Sequence, residues 1–173
     1  MTQAAIGLGS NLGNRDGNLR AALACIKSKM AVVAVSKLYE TAPMHVTDQP
    51  SFLNGAALVE TELGPLPLLH LLKEIERRIG RSETQRNGPR EIDLDLLTYG
   101  AARYVFKFES KEVLVLPHPR IPERRFVLQP LHDIDTQLRL PGLGNVQTLL
   151  QSTEVQTQSV LETTNALLPI HSG

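Results

Sequence analysis

The segment Gly88-Pro89-Arg90-Glu91-Ile92-Asp93-Leu94-Asp95-Leu96 alternates apolar and acidic side chains over its second half. This alternation predicts a β-strand with one buried face, because successive side chains of a strand point to opposite sides of the sheet. The apolar residues would face the core. Asp93 and Asp95 would share the other face, with Cα atoms roughly 7 Å apart.

The rest of the chain predicts further strands and helices around this strand, from apolar periodicity and from residues that cap helices. They are a strand at 4–8, a helix that Asn14 or Asp16 caps, strands at 31–39 and 54–62, a helix from 65 to 79 that ends at Gly80, strands at 103–108 and 113–116, and a helix at 123–134 broken at Pro130. The order β-α-β-β-α-β predicts an α+β ferredoxin-like sandwich, which is a largely antiparallel sheet with helices packed on one face.

The length of 173 residues suits one domain with a tail. We predict a domain over residues 1–150. From about residue 151 the composition shifts to Gln, Ser and Thr, so residues 151–173 are predicted to be a loosely ordered tail or linker.

The composition argues against several classes of protein. Hydrophobic residues make up 42%, and 18 basic residues balance 18 acidic ones, which disfavours both disorder and a protein that coats nucleic acid or membranes. Cys25 is the single cysteine, so no intrachain disulfide can form, and no apolar run approaches the roughly 20 residues that span a membrane. We expect a cytoplasmic protein with no nucleic-acid or membrane partner.

The two aspartates form a pair of hard oxygen ligands that suits Mg²⁺. On its own, Asp93-x-Asp95 is better explained as the solvated face of an amphipathic strand. The neighbouring charges change this balance, since residues 73–90 carry six basic and three acidic side chains. Among them, Arg81 ends the predicted helix and Arg90 precedes the aspartates. Arginine binds phosphate oxygens well, so this region predicts a metal and polyphosphate site.

A second basic group contains His118, Arg120, Arg124 and Arg125 within a proline-rich stretch. A rigid loop that holds a histidine and an arginine is a candidate phosphate clamp, although a lone histidine is as often structural. The Gly-rich turn at 7–13 has the spacing Gly-x-Gly-x-x-x-Gly, which differs from the dinucleotide-binding pattern. We interpret it as a structural turn at the edge of a pocket.

Apolar, aromatic and amide side chains could hold a flat heterocycle. They lie in the loop Thr41-Ala42-Pro43-Met44, at the strand start Phe52-Leu53-Asn54 and at Phe126. The two phenylalanines could stack on the ring while the amide reads its edge through a paired donor and acceptor. Ordinary core packing of both phenylalanines is the simpler alternative.

These motifs, in this order, resemble the 6-hydroxymethyl-7,8-dihydropterin pyrophosphokinase family of folate biosynthesis. The resemblance covers about residues 4–150 and is most specific at Gly-Pro-Arg-Glu-Ile-Asp-Leu-Asp, residues 88–95. Its other matching segments are 7–13, 39–43, 48–54, 76–81, 117–120 and 124–131. The resemblance implies a ferredoxin-like fold and transfer of the β,γ-pyrophosphoryl group of ATP to the hydroxymethyl group of the pterin, with release of AMP.

The resemblance also implies roles for individual residues. The expected catalytic residues are Arg81, Arg90, Asp93 and Asp95, of which the two aspartates would bind two Mg²⁺ ions. The expected ATP contacts are Leu69, Lys73, Glu76, Arg81, Arg90, Leu96, His118 and Arg124. The expected pterin contacts are Thr41, Ala42, Met44, Phe52, Asn54, Asp93 and Phe126.

Two positions depart from the family pattern: Asn87 stands where some bacterial members have Trp, and Pro119 stands where a Tyr can follow the histidine. In some plants and other eukaryotes the enzyme is fused to dihydropteroate synthase, so that enzyme is a possible fusion partner or neighbour in the pathway. The tail would then be the linker, and a mitochondrial location becomes the alternative to a cytoplasmic one.

Three other functions remain open from the sequence. The chain could be a non-catalytic structural partner domain of a folate-pathway fusion protein. It could be an RNA-binding module, since ferredoxin-like sheets often bind RNA, although aromatic residues make up only 4% of the chain. It could also be a metal-dependent hydrolase that turns over ATP with water.

Overall fold

The computed structural model describes residues 1–43, 48–80, 89–164 and 166–167. The strands within these ranges are β1 Thr2–Ser10, β2 Ala31–Val35, β3 Tyr39–Thr41, β4 Phe52–Thr61, β5 Asp93–Tyr99, β6 Tyr104–Phe108, β7 Lys111–Leu116, β8 Arg139–Leu140, β9 Gly144–Asn145 and β10 Val160–Glu162. The helices are α1 Arg15–Lys27, α2 Pro65–Ile79, α3 Arg125–Ile134, α4 Val146–Leu150 and α5 Thr153–Gln156, with a 3-10 turn at Ile121–Glu123. None of these helices has the length and apolar character needed to cross a membrane.

The main sheet has the strand order β10-β3-β4-β1-β5, and β2 pairs with a second part of β4. Every pairing is antiparallel. The predicted α+β ferredoxin-like sandwich with a largely antiparallel sheet is therefore confirmed. β6 and β7 form a separate two-stranded sheet, as the sequence predicts for residues 103–116.

Both faces of the sheet are covered, although the sequence predicts helices on one face. On one side Ile6 and Leu8 of β1 are buried against α1 and α2. On the other side Ala5 of β1 is buried with residues of α3 and α4. The prediction of a single covered face is wrong because the third and fourth helices pack on the opposite side, where β1 presents small residues.

The ends of the first two helices follow the predicted caps. The side chain of Asn14 accepts a hydrogen bond from the N–H of Gly17 at 3.0 Å, which satisfies one of the free donors at the start of α1. α2 begins with Pro65, where proline is well tolerated. Gly80 ends α2 in a left-handed conformation with φ of 106°, which glycine adopts more easily than other residues.

The strand predicted at 31–39 is two strands. β2 ends at Val35, and β3 begins at Tyr39. Between them the Ser36 hydroxyl accepts a hydrogen bond from the N–H of Ala56 at 2.8 Å, so a side chain replaces a strand carbonyl in the ladder. The prediction of one continuous strand is wrong because this side-chain bond interrupts the regular pairing.

The break predicted at Pro130 is absent, since α3 runs through it from Arg125 to Ile134. Proline cannot donate to the carbonyl four residues earlier, which here is Phe126. The helix tolerates this loss because Val127, Leu128 and Leu131 bury its apolar side against the sheet. Tertiary packing thus outweighs the local preference of proline.

Part of the segment after residue 150 contacts the main sheet and the core. β10 pairs with β3, placing Val160 opposite Thr41. Val155 is buried in the core beside α3, and Leu167 is buried in the core on the other face. Within residues 153–162 the structure thus has one buried apolar side chain and one strand in the main sheet. The domain boundary at residue 150 and the loosely ordered tail or linker at 151–173 stay predictions.

We expect Gly80→Ala to lower the free energy of unfolding by about 1 kcal/mol, because a Cβ disfavours the left-handed conformation. Gly80→Asn is the matched control, since asparagine tolerates the left-handed conformation better than alanine and should cost less. Chemical denaturation of both variants measures the difference. Equal stabilities would show that the conformation of Gly80 imposes no cost on alanine.

Candidate active site

A cleft of about 840 Å³, including its open mouth, lies on the face of the sheet that carries α3. Nine of the predicted site residues line it. They are Thr41, Ala42, Phe52, Asn54, Arg90, Asp93, Asp95, Arg124 and Phe126. These residues come from β3, β4, β5 and the start of α3, so the fold brings together groups that are far apart in sequence.

Two glycines of β1 form part of the cleft's lining. Gly7 lies opposite Asp95 on β5, and Gly9 lies between Asp93 on β5 and Asn54 on β4. A Cβ at Gly9 would come within 2.9 Å of the Asn54 Oδ1 atom. Glycine at this position therefore keeps space for a ligand between the carboxylates and the amide.

The alternation in β5 divides its side chains as the sequence predicts. Asp93 and Asp95 line the cleft, while Leu94 is fully buried in the core on the other face. The backbone of β5 thus holds both carboxylates on one face of the strand, and neither side chain can turn into the core.

The two carboxylates, Asp93 and Asp95, have different electrostatic surroundings. Arg90 Nη1 lies 2.9 Å from Asp93 Oδ2. Burial, followed by the nearby charge of Asp93, raises the pKa of Asp95 to about 6, although Lys73 and Arg124 oppose this rise. The raised pKa indicates that a second negative charge is unfavourable here unless a further cation is present.

This donor set fits a hard divalent cation. Within the ranges that the structure describes, no group of three or more His, Cys, Asp or Glu side chains is arranged to hold a metal. Mg²⁺ commonly binds through one or two carboxylates and completes its shell with water and ligand phosphates. Asp93 and Asp95 therefore suit a cation that binds together with a phosphate-bearing ligand.

Arg124 supplies a candidate anion contact. Its Nε is buried and has no hydrogen-bond partner among the described residues, and its guanidinium lies 5.6 Å from the centre of the Phe126 ring. Burial and then the charge of Arg120 lower the pKa of Arg124. A buried donor without an acceptor is costly, so an anionic ligand in the cleft would satisfy it.

His118 lies outside the residues that line the cleft. Its Nδ1 accepts a hydrogen bond from the backbone N–H of Arg120 at 3.2 Å. Burial, and then the charges of Arg124 and Arg120, lower its pKa to about 4. The imidazole is therefore neutral at pH 7, and because Nδ1 is an acceptor, Nε2 carries the hydrogen and can donate.

The other end of the cleft combines an amide, a hydroxyl and an aromatic ring. Asn54 Nδ2 donates to Thr41 Oγ1 at 2.6 Å, and both side chains are buried. This bond fixes the orientation of the amide, since a bound Nδ2 leaves Oδ1 on the opposite side. Phe52 and Ala42 add an apolar wall beside it, which suits a flat ring with polar edges.

Four predicted ATP contacts lie on the core side of β5 and do not line the cleft. Glu76 accepts hydrogen bonds from the N–H of Leu94 at 2.6 Å and from Lys73 Nζ at 3.0 Å. Lys73 also donates to the Leu94 carbonyl at 3.1 Å. Leu96 is buried, and Leu69 packs against the same core. These contacts fix β5 between its two aspartates, and binding of ATP by these four residues stays a prediction.

Arg81 and Met44 fall outside the described residues, as does Asn87. Their predicted roles stay predictions.

Asn11 is a site residue that the sequence interpretation missed. It is 1% exposed, and its Nδ2 donates to Gln49 Oε1 at 2.9 Å and to the Pro50 carbonyl at 3.0 Å. Its Oδ1 accepts the backbone N–H of Arg90 at 2.9 Å. The turn therefore does more than connect β1 to α1, because it joins the loop before β4 to the arginine beside the carboxylates.

The sequence feature that could have identified Asn11 is its side-chain amide at the end of a predicted strand. An amide directly after a buried strand has three hydrogen-bonding atoms to satisfy if the turn is buried. The sequence does not reveal that burial, which arises when the loop around Gln49 and the segment around Arg90 close over the turn.

A ferredoxin-like sandwich with a carboxylate pair, a buried arginine and an apolar wall in one cleft defines a class of protein. The chemistry of such a cleft suits an anionic ligand with a divalent cation beside a flat molecule. A family model described as 7,8-dihydro-6-hydroxymethylpterin-pyrophosphokinase (HPPK) matches residues 5–136. The chain belongs to this family, and the resemblance inferred from its motifs is confirmed.

Two curated relatives carry names from the same family or pathway. The chain is 52% identical over 130 residues to the mitochondrial folate synthesis bifunctional protein of Arabidopsis thaliana, covering 75% of this chain and 23% of that protein. It is 43% identical over 135 residues to the 2-amino-4-hydroxy-6-hydroxymethyldihydropteridine pyrophosphokinase of Bacillus subtilis, covering 77% of this chain and 78% of that protein. The chain thus spans about a quarter of the plant relative.

A solved structure supports the fold. The crystal structure of wild-type HPPK-DHPS from Plasmodium falciparum aligns with a TM-score of 0.69, covering 86% of this chain and 44% of that one, at 16% identity. At this level of identity the match shows the fold alone.

We expect Asp93→Asn to lower the pKa of Asp95 from about 6 toward the ordinary range of a carboxyl group, because the change removes a like charge beside it. The Asp95 carboxyl resonance, followed by NMR against pH in the metal-free protein, gives the midpoint. Asp135→Asn, at the exposed end of α3, is the control and should leave the midpoint in place. An unchanged midpoint in Asp93→Asn would show that the two carboxylates do not interact.

Proposed function

We propose that this chain transfers the β,γ-pyrophosphoryl group of ATP to the hydroxymethyl group of 6-hydroxymethyl-7,8-dihydropterin in folate biosynthesis. The products are the pterin diphosphate and AMP. One observation carries the proposal: in a member of this family, a single cleft contains two carboxylates, a guanidinium and a hydrogen-bonded amide and hydroxyl pair. These groups belong to Asp93 and Asp95, to Arg124, and to Asn54 and Thr41. The name of the bacterial relative supports it.

Asp93 and Asp95 would hold two Mg²⁺ ions in this proposal. Bound Mg²⁺ would neutralise phosphate oxygens and help to align ATP with the pterin. The raised pKa of Asp95 supports the assignment, since burial and the charge of Asp93 together favour a cation at this position. The number of ions is part of the proposal.

Arg90 and Arg124 would bind the polyphosphate. Arg90 is oriented by the carboxylate of Asp93 and by the Asn11 amide at its backbone, so its position is set before ATP arrives. Arg124 offers its buried Nε to a phosphate oxygen. Prearranged donors stabilise the charge that develops as AMP leaves, because they need no reorganisation during the reaction.

Asn54, Thr41, Ala42, Phe52 and Phe126 would bind the pterin. Because Arg124 lies over one face of the Phe126 ring, a pterin would stack on its other face. Asn54 and Thr41 would read the polar edge of the ring through their fixed hydrogen bond. Met44 would complete this pocket.

The chemistry needs no dedicated side-chain base. The hydroxymethyl oxygen forms a bond to the β-phosphorus of ATP, and the bond from that phosphorus to the α,β-bridging oxygen breaks. The hydroxyl proton goes to solvent, and AMP departs with the bridging oxygen. Positioning and charge stabilisation account for catalysis in such transfers. Arg81 would join Arg90 in stabilising the phosphates.

Leu69, Lys73, Glu76 and Leu96 would lie near the adenosine. Lys73 and Glu76 already bind both polar groups of Leu94, so their contribution to ATP binding would include holding the edge strand β5 in place. His118, as a neutral donor through Nε2, would contact a phosphate oxygen.

The location and partners of the whole protein are also proposals. The plant relative is named as a bifunctional, mitochondrial protein, and the Plasmodium falciparum structure is an HPPK-DHPS. These names support dihydropteroate synthase as a fusion partner and a mitochondrial location, while a cytoplasmic location stays a prediction. A non-catalytic role within a fusion is the second candidate, and the presence of Asp93, Asp95, Arg90 and Arg124 in one cleft disfavours it.

The proposal is tested by mixing the protein with ATP, Mg²⁺ and 6-hydroxymethyl-7,8-dihydropterin and following nucleotides and pterins by chromatography. We expect AMP and the pterin diphosphate to form in equal amounts, and only when the pterin is present. AMP or ADP without pterin would indicate a hydrolase. No nucleotide turnover would favour the non-catalytic alternative.

We expect Asp95→Asn to lower turnover at least about 100-fold, because the site loses the charge that attracts the cation. The same variant should be as stable as the wild type or more stable at pH 7. The folded-state pKa of about 6 lies above the ordinary 3.8 of the carboxyl, so ionised Asp95 opposes folding above that range. Asp135→Asn is the matched control. Full turnover in Asp95→Asn would remove the proposed metal site.

A further inference from the structure

The segment from Thr153 to Glu162 lies beyond residues 5–136, which match the family model. It nevertheless contacts elements that form two walls of the cleft. Its first part lies against the start of α3, which carries Arg124 and Phe126. Its last part is β10, which pairs with β3 and places Val160 opposite Thr41.

Four hydrogen bonds join this segment to the start of α3. Gln158 Oε1 accepts the backbone N–H of Arg125 at 2.9 Å, and Gln158 Nε2 donates to the Glu123 carbonyl at 2.7 Å. Arg125 Nη1 donates to the carbonyls of Gln158 at 2.9 Å and Gln156 at 3.3 Å. Gln158 and Arg125 therefore each bond through both backbone and side chain, which fixes the distance and the orientation of the segment relative to the start of α3.

One of these bonds satisfies a backbone N–H at the start of α3. Arg124 is the N-cap, and no side-chain hydrogen bond caps the helix from that position. The first N–H groups of a helix have no partner inside it, and the N–H of Arg125 is one of them. Gln158 provides an acceptor for this first N–H, from a residue 33 positions later in the chain.

The segment is anchored well enough to act as a support. Val155 is 0% exposed and packs in the core with Leu128 and Leu131 of α3. β10 is hydrogen-bonded along the edge of the main sheet. Gln158 lies between these two anchors, so it can resist movement of the helix start.

We propose that Gln158 and Arg125 are positioning residues that hold the start of α3, so that Arg124 keeps its place in the cleft. Arg125 directly follows Arg124, which lines the cleft, and the Arg124 carbonyl accepts the N–H groups of Val127 and Leu128 at 3.1 and 3.0 Å. Release of Arg125 would loosen this first turn. The kinetic consequence rests on the proposed function, whereas the structural one does not.

Hydrogen exchange tests the structural part without any assay of activity. In Gln158→Ala the amides of Val127 and Leu128 should exchange about five- to tenfold faster than in the wild type, because loss of the bonds to the Arg125 N–H and the Glu123 carbonyl lets the first turn open more often. Amides of α1 should not change. Gln151→Ala, an exposed glutamine before the same segment, is the matched control and should leave all these rates unchanged. Unchanged rates at Val127 and Leu128 in Gln158→Ala would overturn the proposal.

Steady-state kinetics test the effect on the cleft. Gln158→Ala removes the bonds to the Arg125 N–H and the Glu123 carbonyl, and Arg125→Ala removes the bonds to the carbonyls of Gln156 and Gln158. Each variant should lower kcat/KM for ATP by about tenfold, and the double variant should lose more than either single one, because it removes all four bonds. In an Arg124→Ala background, Gln158→Ala should cause no further loss for ATP. A full additional loss there would show that Gln158 acts on general stability and would overturn the positioning role.

The two proposals fail in different ways. If the wild-type protein forms no AMP with ATP and pterin, the proposed function fails, and the exchange rates still decide whether Gln158 holds α3. If the wild type is active, faster exchange without a change in kcat/KM overturns the positioning role alone.

Discussion

The central strand β1 has to bury one face and leave space on the other, and the rest of the structure depends on this constraint. Ile6 and Leu8 fill the core beneath α1 and α2. Gly7 and Gly9 face the opposite side, where a side chain at Gly9 would collide with Asn54. The cleft exists because glycine interrupts the core on that face, and α3 encloses the space from one side.

The neighbouring strand places charge at the edge of this space. Asp93 and Asp95 share one face of β5 because the side-chain period of a strand is two, so the fold holds two like charges close together. Arg90 partly offsets the repulsion through its contact with Asp93. Glu76 and Lys73 hold the backbone between the aspartates from the core side. The negative charge of Asp95 therefore lowers the stability of the metal-free protein, while the same charge attracts cations.

Residues distant in sequence control the groups that face the cleft. Asn11 joins the turn after β1 to Arg90 and to the loop at Gln49. Gln158 joins the end of the chain to Arg125, next to Arg124. Both amides satisfy backbone groups that would otherwise be buried without a partner, which explains how small polar side chains can fix the position of two arginines.

The sequence by itself determined the strand β5 and the direction of its aspartates, a cap at Asn14 or Asp16, the helix end at Gly80, and the order of elements that specifies a ferredoxin-like sheet. Each of these follows from local spacing or from the conformation of a single residue. Only the tertiary structure decided that helices cover both faces, that α3 continues through Pro130, and that residues 153–162 join the fold. These features depend on contacts between distant parts of the chain. Burial against another element of the fold can outweigh the local conformational preference of a residue, and the polar composition of a segment does not reveal which element it will contact.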